Sequence, residues 1–360
     1  MQRCRVVSVL RRQVLRRQAL GLFLLAVALA GSGFPARADS QIFSLFDFPF
    51  EDGTVMPELR IAYETHGTLS PARDNAIVLL HGVLGDKHEF DAAIGPGALF
   101  DTDRYFVIAI DAIGGGESTS PADNGGQDFP RYTVRDMMAA EYALVTRAFG
   151  LSRLRAIVGR SMGALAGLEW AVQHPDMPAA LVLLGAAPRS DANFQMIIDL
   201  LLSDVALDPD WSGGRYERNP VEGLRHAGMT YYPWSVTAGY LDRIPPARVV
   251  QEAEAAAKRF AAWDANSLVM RLAACRGYDV GRDADGEAAA ALARVTPPVL
   301  VMANAGDRLV SLAGTKRLRD LLPHPVYAEI PGDLGHRALD PPPESPEAEF
   351  IARTIRGFLE

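Results

Sequence analysis

The sequence predicts an α/β fold with a mostly parallel central sheet, flanked by helices and carrying an inserted helical lid. Short apolar runs rich in β-branched residues alternate with amphipathic stretches, as in parallel sheets that are buried on both faces. Between residues 188 and 295 this alternation is replaced by helical patterns and by turns rich in glycine and aromatic residues. A chain of 360 residues, 49% of them hydrophobic, can bury one large core and still accommodate such an insertion.

The predicted elements divide the chain into a core domain, residues 39–187 and 296–360, and a helical lid, residues 188–295. Seven short apolar runs are predicted as strands: 61–64, 76–80, 105–110, 155–158, 180–184, 299–303 and 326–330. Three stretches are predicted as helices: 133–149, 162–173 and 247–262. The first of these has Thr133 as its N-terminal cap, and the second ends before a His-Pro pair.

The first 38 residues predict an export signal. Six arginines precede an apolar run over 19–30, and Ala36-Arg37-Ala38 offers a cleavage site before Asp39. An uncleaved membrane anchor is the alternative, but the apolar run is shorter than the roughly 20 residues that a spanning helix needs. The pair Arg16-Arg17 also permits the twin-arginine route, and a translation start after Met1 would remove the signal. We therefore expect residues 1–38 to be a signal peptide and the protein to be periplasmic or secreted.

Charge and cysteine content exclude several classes of partner. Removal of residues 1–38 takes away seven arginines and no acidic residue, so the formal net charge shifts from −8 to about −15. A surface this acidic repels nucleic acid and anionic lipid, so neither is expected as a partner of the mature chain. Cys4 lies in the signal and Cys275 is left alone, which predicts a packed side chain with no internal disulfide and no metal site.

The sharpest motif is Gly159-Arg160-Ser161-Met162-Gly163, which follows the predicted strand 155–158 and opens the helix over 162–173. This G-x-S-x-G pattern is typical of a nucleophile elbow, in which a strained turn projects the serine hydroxyl above the sheet. A chance occurrence of five residues is the alternative, and the strand-turn-helix context favours the elbow. The motif therefore predicts an α/β-hydrolase fold with Ser161 as the nucleophile.

A serine hydroxyl needs a base and an orienting acid, which follow the serine in the order acid, then histidine in this fold. Asp307 follows the predicted strand 299–303, and His336 follows the strand over 326–330. Three rivals fit less well. His324 lies in a proline-flanked loop, Asp320 lies on an exposed helix face, and Asp333 is too close in sequence to the catalytic histidine. The predicted catalytic triad is therefore Ser161, Asp307 and His336.

Acyl transfer also needs donors that stabilise the oxyanion. The backbone N–H of Met162 is the expected first donor, and that of Val83, in the loop after an early strand, is the expected second. His81 beside this loop is interpreted as a structural hydrogen-bonding residue. The glycine-rich segment 111–118 follows a strand but lacks a following helix motif suited to dinucleotide binding, so use of a nicotinamide cofactor is not expected.

From residue 61 onward the sequence resembles the homoserine O-acetyltransferase family of the α/β-hydrolase superfamily. The resemblance is carried by five segments: 62–69, 101–108, 161–163 with 168–172, 264–267 and the surroundings of 335–336. It implies a two-step mechanism in which Ser161 takes an acyl group from a thioester donor and a small alcohol or water accepts it. His336 would shuttle the protons and Asp307 would fix its tautomer, with no metal or tightly held cofactor.

The departures from the family fall where the substrate should bind. Members that act on homoserine have an aspartate directly after the catalytic histidine, where this chain has Arg337, and the Gly-Gly before the serine is Gly159-Arg160 here. Arg225 is the nearest match to the arginine that holds the substrate carboxylate. One hypothesis is that Arg225 and Arg337 bind an acidic group of the substrate; salt bridges to lid carboxylates are the alternative.

The expected function is therefore an exported esterase or acyl hydrolase, a divergent relative of homoserine O-acetyltransferase, acting on a small-molecule acyl ester or thioester. Hydrolysis of an ester, or acyl transfer from a donor other than a coenzyme, is favoured because acetyl-coenzyme A is an intracellular metabolite. An acetyl-coenzyme A-dependent acyltransferase is the first alternative, and a non-catalytic binding module on the same fold is the second. The sequence leaves the oligomeric state open, with a homodimer among the alternatives.

Overall fold

The computed structural model describes residues 39–360. The predicted signal peptide, residues 1–38, lies outside the described residues. Eight strands form one sheet in the order β1-β2-β4-β3-β5-β6-β7-β8. Their bounds are β1 Gln41–Pro49, β2 Val55–His66, β3 Ala76–Leu80, β4 Phe106–Ile110, β5 Ala156–Arg160, β6 Leu181–Leu184, β7 Val299–Asn304 and β8 Pro325–Ile330.

The sheet is mostly parallel, as predicted. Only β2 pairs antiparallel, with β1 on one side and β4 on the other, and the pairs from β4 through β3 to β8 are parallel. All seven predicted strands overlap observed ones. Of the eight strands in this sheet, the one that the sequence did not predict is β1, which lies at the edge of the sheet and exposes more than half of its residues. Its hydrophobic pattern is weak because only one face packs against the core.

Alternate residues of the central strands point into two separate cores. Val78 and Leu80 of β3 pack into the core on one face of the sheet, and Ile77 and Leu79 pack into the core on the other. Each strand is therefore apolar on both faces, which is why the short runs of the sequence lack a period of two.

Ten α-helices occur within residues 39–360: α1 Val134–Ala143, α2 Met162–Gln173, α3 Ala192–Ala206, α4 Val221–Ser235, α5 Ala238–Arg243, α6 Pro246–Ala261, α7 Ala265–Arg276, α8 Ala288–Leu292, α9 Leu312–Leu321 and α10 Pro346–Leu359. Thr133 caps α1 as predicted, in a capping box with Asp136. The helix predicted over 133–149 changes to a π-helical turn at Leu144–Ala148. In this described part of the chain, no helix is long and apolar enough to span a membrane.

Helices α3 to α8 connect β6 to β7 and lie within the predicted lid, residues 188–295. Side chains of α3, α4, α6 and α7 form a third hydrophobic cluster, separate from the two cores of the sheet: Ile198, Leu201, Val205, Leu224, Ala227, Phe260, Ala265, Leu268 and Leu272. The same helices contribute to the cavity above Ser161. The exact limits of the lid, 188 and 295, stay a prediction. The connection from α3 to α8 is called the helical insertion below.

Candidate active site

Ser161 occupies the sharp turn between β5 and α2. Its backbone angles, φ 51° and ψ −115°, lie in a region that non-glycine residues rarely adopt. The two glycines of the motif make this turn feasible. A Cβ at Gly159 would overlap the carbonyl of Gly163, and a Cβ at Gly163 would overlap that of Leu80 at the end of β3. The strained turn thus requires glycine on both sides of the serine.

The three residues of the predicted triad lie together at the carboxyl ends of β5, β7 and β8. The distance from Ser161 Oγ to His336 Nε2 is 3.1 Å, and the distance from His336 Nδ1 to Asp307 Oδ2 is 2.8 Å. Asp307 is buried, and its other oxygen accepts the backbone N–H groups of Leu309 and Val310 at 2.9 and 3.0 Å. A carboxylate held in this way fixes the proton of His336 on Nδ1, which leaves Nε2 free to accept the serine proton.

The rival acids and histidine lie elsewhere. Asp333 receives two hydrogen bonds from Arg243, which lower the pKa of its carboxyl. Asp320 pairs with its neighbour Arg319 at 2.7 Å. His324 precedes β8, where its carbonyl oxygen accepts the N–H of Val299. The structure therefore gives each of these residues a local contact away from Ser161.

The two expected oxyanion donors border the same cavity as Ser161. Met162 is the first residue of α2, so its N–H has no acceptor within the helix. The carbonyl of Gly82 accepts both His81 Nδ1 at 2.7 Å and the N–H of Gly85 at 3.0 Å. Because C=O and N–H point in opposite directions across a trans peptide, this directs the N–H of Val83 away from His81. Val83 and Met162 both line the cavity.

His81 has the contacts of a structural residue. Its Nδ1 bonds to the carbonyl of Gly82, and its Nε2 accepts the N–H of Ala112 at 3.0 Å. Burial lowers the pKa of His81 to about 3, so the ring is neutral at neutral pH. Both nitrogens are occupied by backbone groups, which leaves none to act as a base.

The cavity beside Ser161 and His336 is small, about 30 Å³, and its wall is apolar. Of the described residues that line it, none is Asp, Glu, Lys or Arg. The remaining lining residues come from the loop after β3, the start of α2, the helical insertion and the loop after β7: Val83, Met162, Leu165, Phe194, Ile197, Ile198, Leu201, Tyr231, Phe260, Leu272, Cys275, Leu309 and Val310. The shape and chemistry of this cavity suit a small apolar group.

The two arginines considered for substrate binding are paired with carboxylates. Arg337 Nη1 lies 2.5 Å from Glu252 Oε2, and Arg225 bonds to both oxygens of Glu254 at 2.7 and 2.9 Å. Although burial raises the pKa of Glu252, hydrogen bonds from groups that include Arg337 lower it to about 2. Neither arginine lines the cavity beside Ser161. The contacts of Arg225 and Arg337 therefore favour the second hypothesis, in which both arginines form salt bridges to carboxylates of the lid.

Sequence reasoning missed Arg271, a fully buried cation on α7. Its guanidinium donates to the carbonyls of Val83 and Gly85, each at 3.2 Å, and to that of Ala112 at 3.1 Å. It also stacks over Trp263, with 4.9 Å from the guanidinium carbon to the ring centroid. Arg271 thus ties the helical insertion to the loop of the expected second donor. The sequence carries no signal for this, because a lone arginine in a helix is usually exposed.

This sheet order, the strained serine turn and the Ser-His-Asp contacts define an α/β-hydrolase. The chain belongs to the α/β-hydrolase fold family, whose model matches residues 75–343. A homoserine O-acetyltransferase of Leifsonia xyli subsp. xyli is 35% identical over 327 residues, covering 79% of this chain and 80% of the relative. Other homoserine O-acetyltransferases are similar at 31–34% identity.

Two solved structures resemble the chain closely in fold. An acetylester hydrolase from Corynebacterium glutamicum is 25% identical with a TM-score of 0.82, and the match covers 89% of this chain and 96% of that one. The acetyl esterase MekB has a TM-score of 0.85, and the match covers 89% of this chain and 97% of that one. Because the identity is only 22%, this similarity shows the fold alone. The predicted fold and the predicted class of enzyme, an α/β-hydrolase with acyltransferase and esterase relatives, are confirmed.

Proposed function

We propose that this protein is a serine esterase that hydrolyses small, apolar acyl esters through an acyl-enzyme formed on Ser161. His336 Nε2 takes the proton of Ser161 as Oγ attacks the ester carbonyl, and the N–H groups of Val83 and Met162 stabilise the resulting oxyanion. His336 then returns the proton to the leaving alkoxide. A water molecule then gives a proton to His336 and attacks the acyl carbon. The bond from that carbon to Ser161 Oγ breaks, the acid leaves, and His336 returns the proton to Oγ. Asp307 holds His336 in the required tautomer throughout.

The observation that carries this proposal is the apolar cavity next to a hydrogen-bonded Ser161 and His336. Homoserine bears an ammonium and a carboxylate, and burying either charge without a partner is costly. Among the described residues, the cavity wall offers no carboxylate and no Lys or Arg to pair with them. Arg225 and Arg337 already bind carboxylates of the helical insertion. A small neutral ester fits this environment better than an amino acid does.

Acyl transfer from acetyl-coenzyme A to an alcohol is the second candidate. It is supported by the homoserine O-acetyltransferases that are 31–35% identical to this chain. The first half of the reaction, acylation of Ser161, is the same for both candidates. They differ in the leaving group of the donor and in whether water or an alcohol accepts the acyl group.

Export is a further part of the proposal. The basic start, the apolar run and the Ala36-Arg37-Ala38 site support cleavage before Asp39. Expression in a Gram-negative host followed by N-terminal sequencing of the periplasmic and secreted protein tests this, with Asp39 as the expected first residue. Full-length protein confined to the cytoplasm would contradict export and would favour the acetyl-coenzyme A candidate.

The purified enzyme should be assayed with p-nitrophenyl acetate, butyrate and octanoate, and separately with acetyl-coenzyme A plus homoserine, with Ser161→Ala as the control. The proposal predicts ester turnover that disappears in the Ser161→Ala protein, with no formation of O-acetylhomoserine. Serine-dependent acetyl transfer to homoserine would establish the second candidate instead. Ester turnover that survives in Ser161→Ala would overturn both.

A further inference from the structure

Glu89 and Arg160 form a buried ion pair, and neither residue lines the cavity beside Ser161. Both side chains are 8% exposed, and Arg160 Nε lies 3.3 Å from Glu89 Oε1. Arg160 also donates to the backbone carbonyl of Glu89 at 3.3 Å and stacks over Phe90 at 4.7 Å. A charge pair this deeply buried is costly to place, so its contacts call for a physical explanation.

The contacts of Glu89 lead to the loop of the second oxyanion donor. Glu89 Oε1 accepts the N–H of Gly82 at 2.7 Å. A Cβ at Gly85 would overlap the other oxygen of this carboxylate, so the loop folds closely around Glu89. The N–H and the C=O of Gly82 are therefore both held, by Glu89 and by His81, and together they orient the peptide that carries the N–H of Val83.

The contacts of Arg160 lead to the other two parts of the site. Arg160 is the last residue of β5 and is followed directly by Ser161. Its Nη1 lies 2.5 Å from Asp340 Oδ1, just after the short helix Gly335–Leu339 that carries His336. Arg160 thus connects three parts of the site: its backbone continues directly to Ser161, and its guanidinium contacts Glu89 beside the Val83 loop and Asp340 beside the segment of the base.

We propose that Glu89 and Arg160 are positioning residues that set the geometry of the oxyanion hole by holding the Val83 loop against the Ser161 elbow. The inference rests on the proposed function, since it assumes that an oxyanion forms beside Ser161. Neither side chain touches the reacting atoms. The pair acts through the backbone of Gly82 and through its own peptide link to Ser161, so its loss should weaken binding of the transition state more than binding of the substrate.

The test compares Glu89→Ala, Glu89→Gln and Arg160→Met with the wild-type enzyme on p-nitrophenyl acetate. Glu89→Ala removes the acceptor for the N–H of Gly82, and kcat should fall about 10- to 100-fold while KM changes less than about threefold. Glu89→Gln keeps an acceptor oxygen, so this variant should retain most of the wild-type kcat. Arg160→Met removes the cation at similar side-chain volume and should also lower kcat. This variant therefore tests the proposal even if Glu89→Ala does not fold.

Phenylboronic acid gives a readout that a general loss of structure would not mimic. Its boron accepts Ser161 Oγ to form a tetrahedral adduct, so its affinity should fall in proportion to kcat/KM across the variants. The matched control is Glu169→Ala, which breaks the buried contact of 3.2 Å between Glu169 and Arg135 away from the site. That variant should lose thermal stability but keep both kcat and boronate affinity.

Two outcomes separate this inference from the proposed function. If Ser161→Ala abolishes turnover while folded Glu89→Ala and Arg160→Met keep the wild-type kcat and boronate affinity, the positioning role is wrong and the esterase stands. If turnover does not depend on Ser161, the proposed function fails and the positioning role fails with it. A parallel loss of activity in Glu169→Ala would show that the effect is general instability.

Discussion

At the scale of single residues, the Asp307 carboxylate is the contact on which the chemistry of His336 depends. One of its oxygens bonds to His336 Nδ1 at 2.8 Å and the other accepts two backbone N–H groups. The carboxylate is therefore fixed from both sides before any substrate binds. This arrangement determines which nitrogen of His336 faces the serine.

We expect Asp307→Asn to leave the fold intact and to lower kcat by about 10⁴-fold, because the amide can donate to Nδ1 and reverse the tautomer of His336. The measurement is steady-state turnover of p-nitrophenyl acetate alongside the unfolding temperature. Asp320→Asn, an exposed position on α9, is the control and should have wild-type turnover. A turnover within tenfold of wild type in folded Asp307→Asn would contradict the assigned role.

Glu141 on α1 gives a prediction for stability as a function of pH. Burial raises the pKa of its carboxyl from 4.5 to about 8, and one of its oxygens has no hydrogen-bond partner among the described residues. The folded state thus holds a proton that the unfolded state releases above pH 4.5. The stability from this group is complete below pH 4.5 and declines as the pH rises towards 8.

Glu141→Gln removes this titration. The unfolding temperature of the variant minus that of the wild type should therefore increase as the pH is raised from 5 to 8. Thermal unfolding at pH 5, 6, 7 and 8 measures the difference, which should grow by a few degrees over that range. An equal difference at every pH would show that Glu141 does not change its protonation on unfolding.

At the scale of secondary-structure elements, the elbow depends on the close approach of α2 to the end of β3. Gly163→Ala places a methyl group against the carbonyl of Leu80, a backbone atom that cannot move away easily. We expect a loss of about 2–4 kcal/mol in the free energy of unfolding, measured by urea denaturation. Gly357→Ala is the matched control, since a Cβ there meets open space on α10 and should stabilise by about 0.5–1 kcal/mol. Similar results for both variants would refute the packing argument.

We expect helix α3 to limit the length of the acyl group that the cavity accepts, because four of its residues line the cavity. Ile197 is fully buried and lines the cavity, so Ile197→Ala should enlarge it and raise the kcat/KM for p-nitrophenyl octanoate relative to acetate by about tenfold. Met196→Ala, the exposed neighbour on the same helix, should leave the ratio unchanged. An unchanged ratio in Ile197→Ala would mean that the acyl group binds elsewhere.

The elements differ in how far the sequence could predict them. Helix α2 begins and ends where the motif and the His-Pro pair indicate, because both signals are local. The same holds for Asp307 and His336, which follow strands that their own apolar runs reveal. Strand β1 and the buried charges Glu89 and Arg271 were missed. Their environments are created by residues that are distant in the sequence. No local pattern of hydrophobicity or of turn residues therefore predicts these environments.

At the scale of the whole molecule, residues 39–360 contain a single cysteine and so no internal disulfide, and their stability depends on packing. Cys275 is buried, and burial raises the pKa of its thiol to about 12, so little reactive thiolate forms at neutral pH. We expect the unfolding temperature of a protein comprising residues 39–360 to be the same within about 1 °C with and without dithiothreitol. A clear decrease in the presence of reductant would reveal a disulfide between two copies of the chain.

The connectivity of the sheet has a consequence for how such an enzyme can diversify. The chain leaves the sheet after β6 and returns at β7, whereas Ser161, Asp307 and His336 follow β5, β7 and β8. Eight of the fifteen residues around the cavity belong to the connection from α3 to α8. Mutations in that connection can therefore remodel substrate preference while the reacting atoms keep their positions. New specificities are accessible to this scaffold without rebuilding its chemistry.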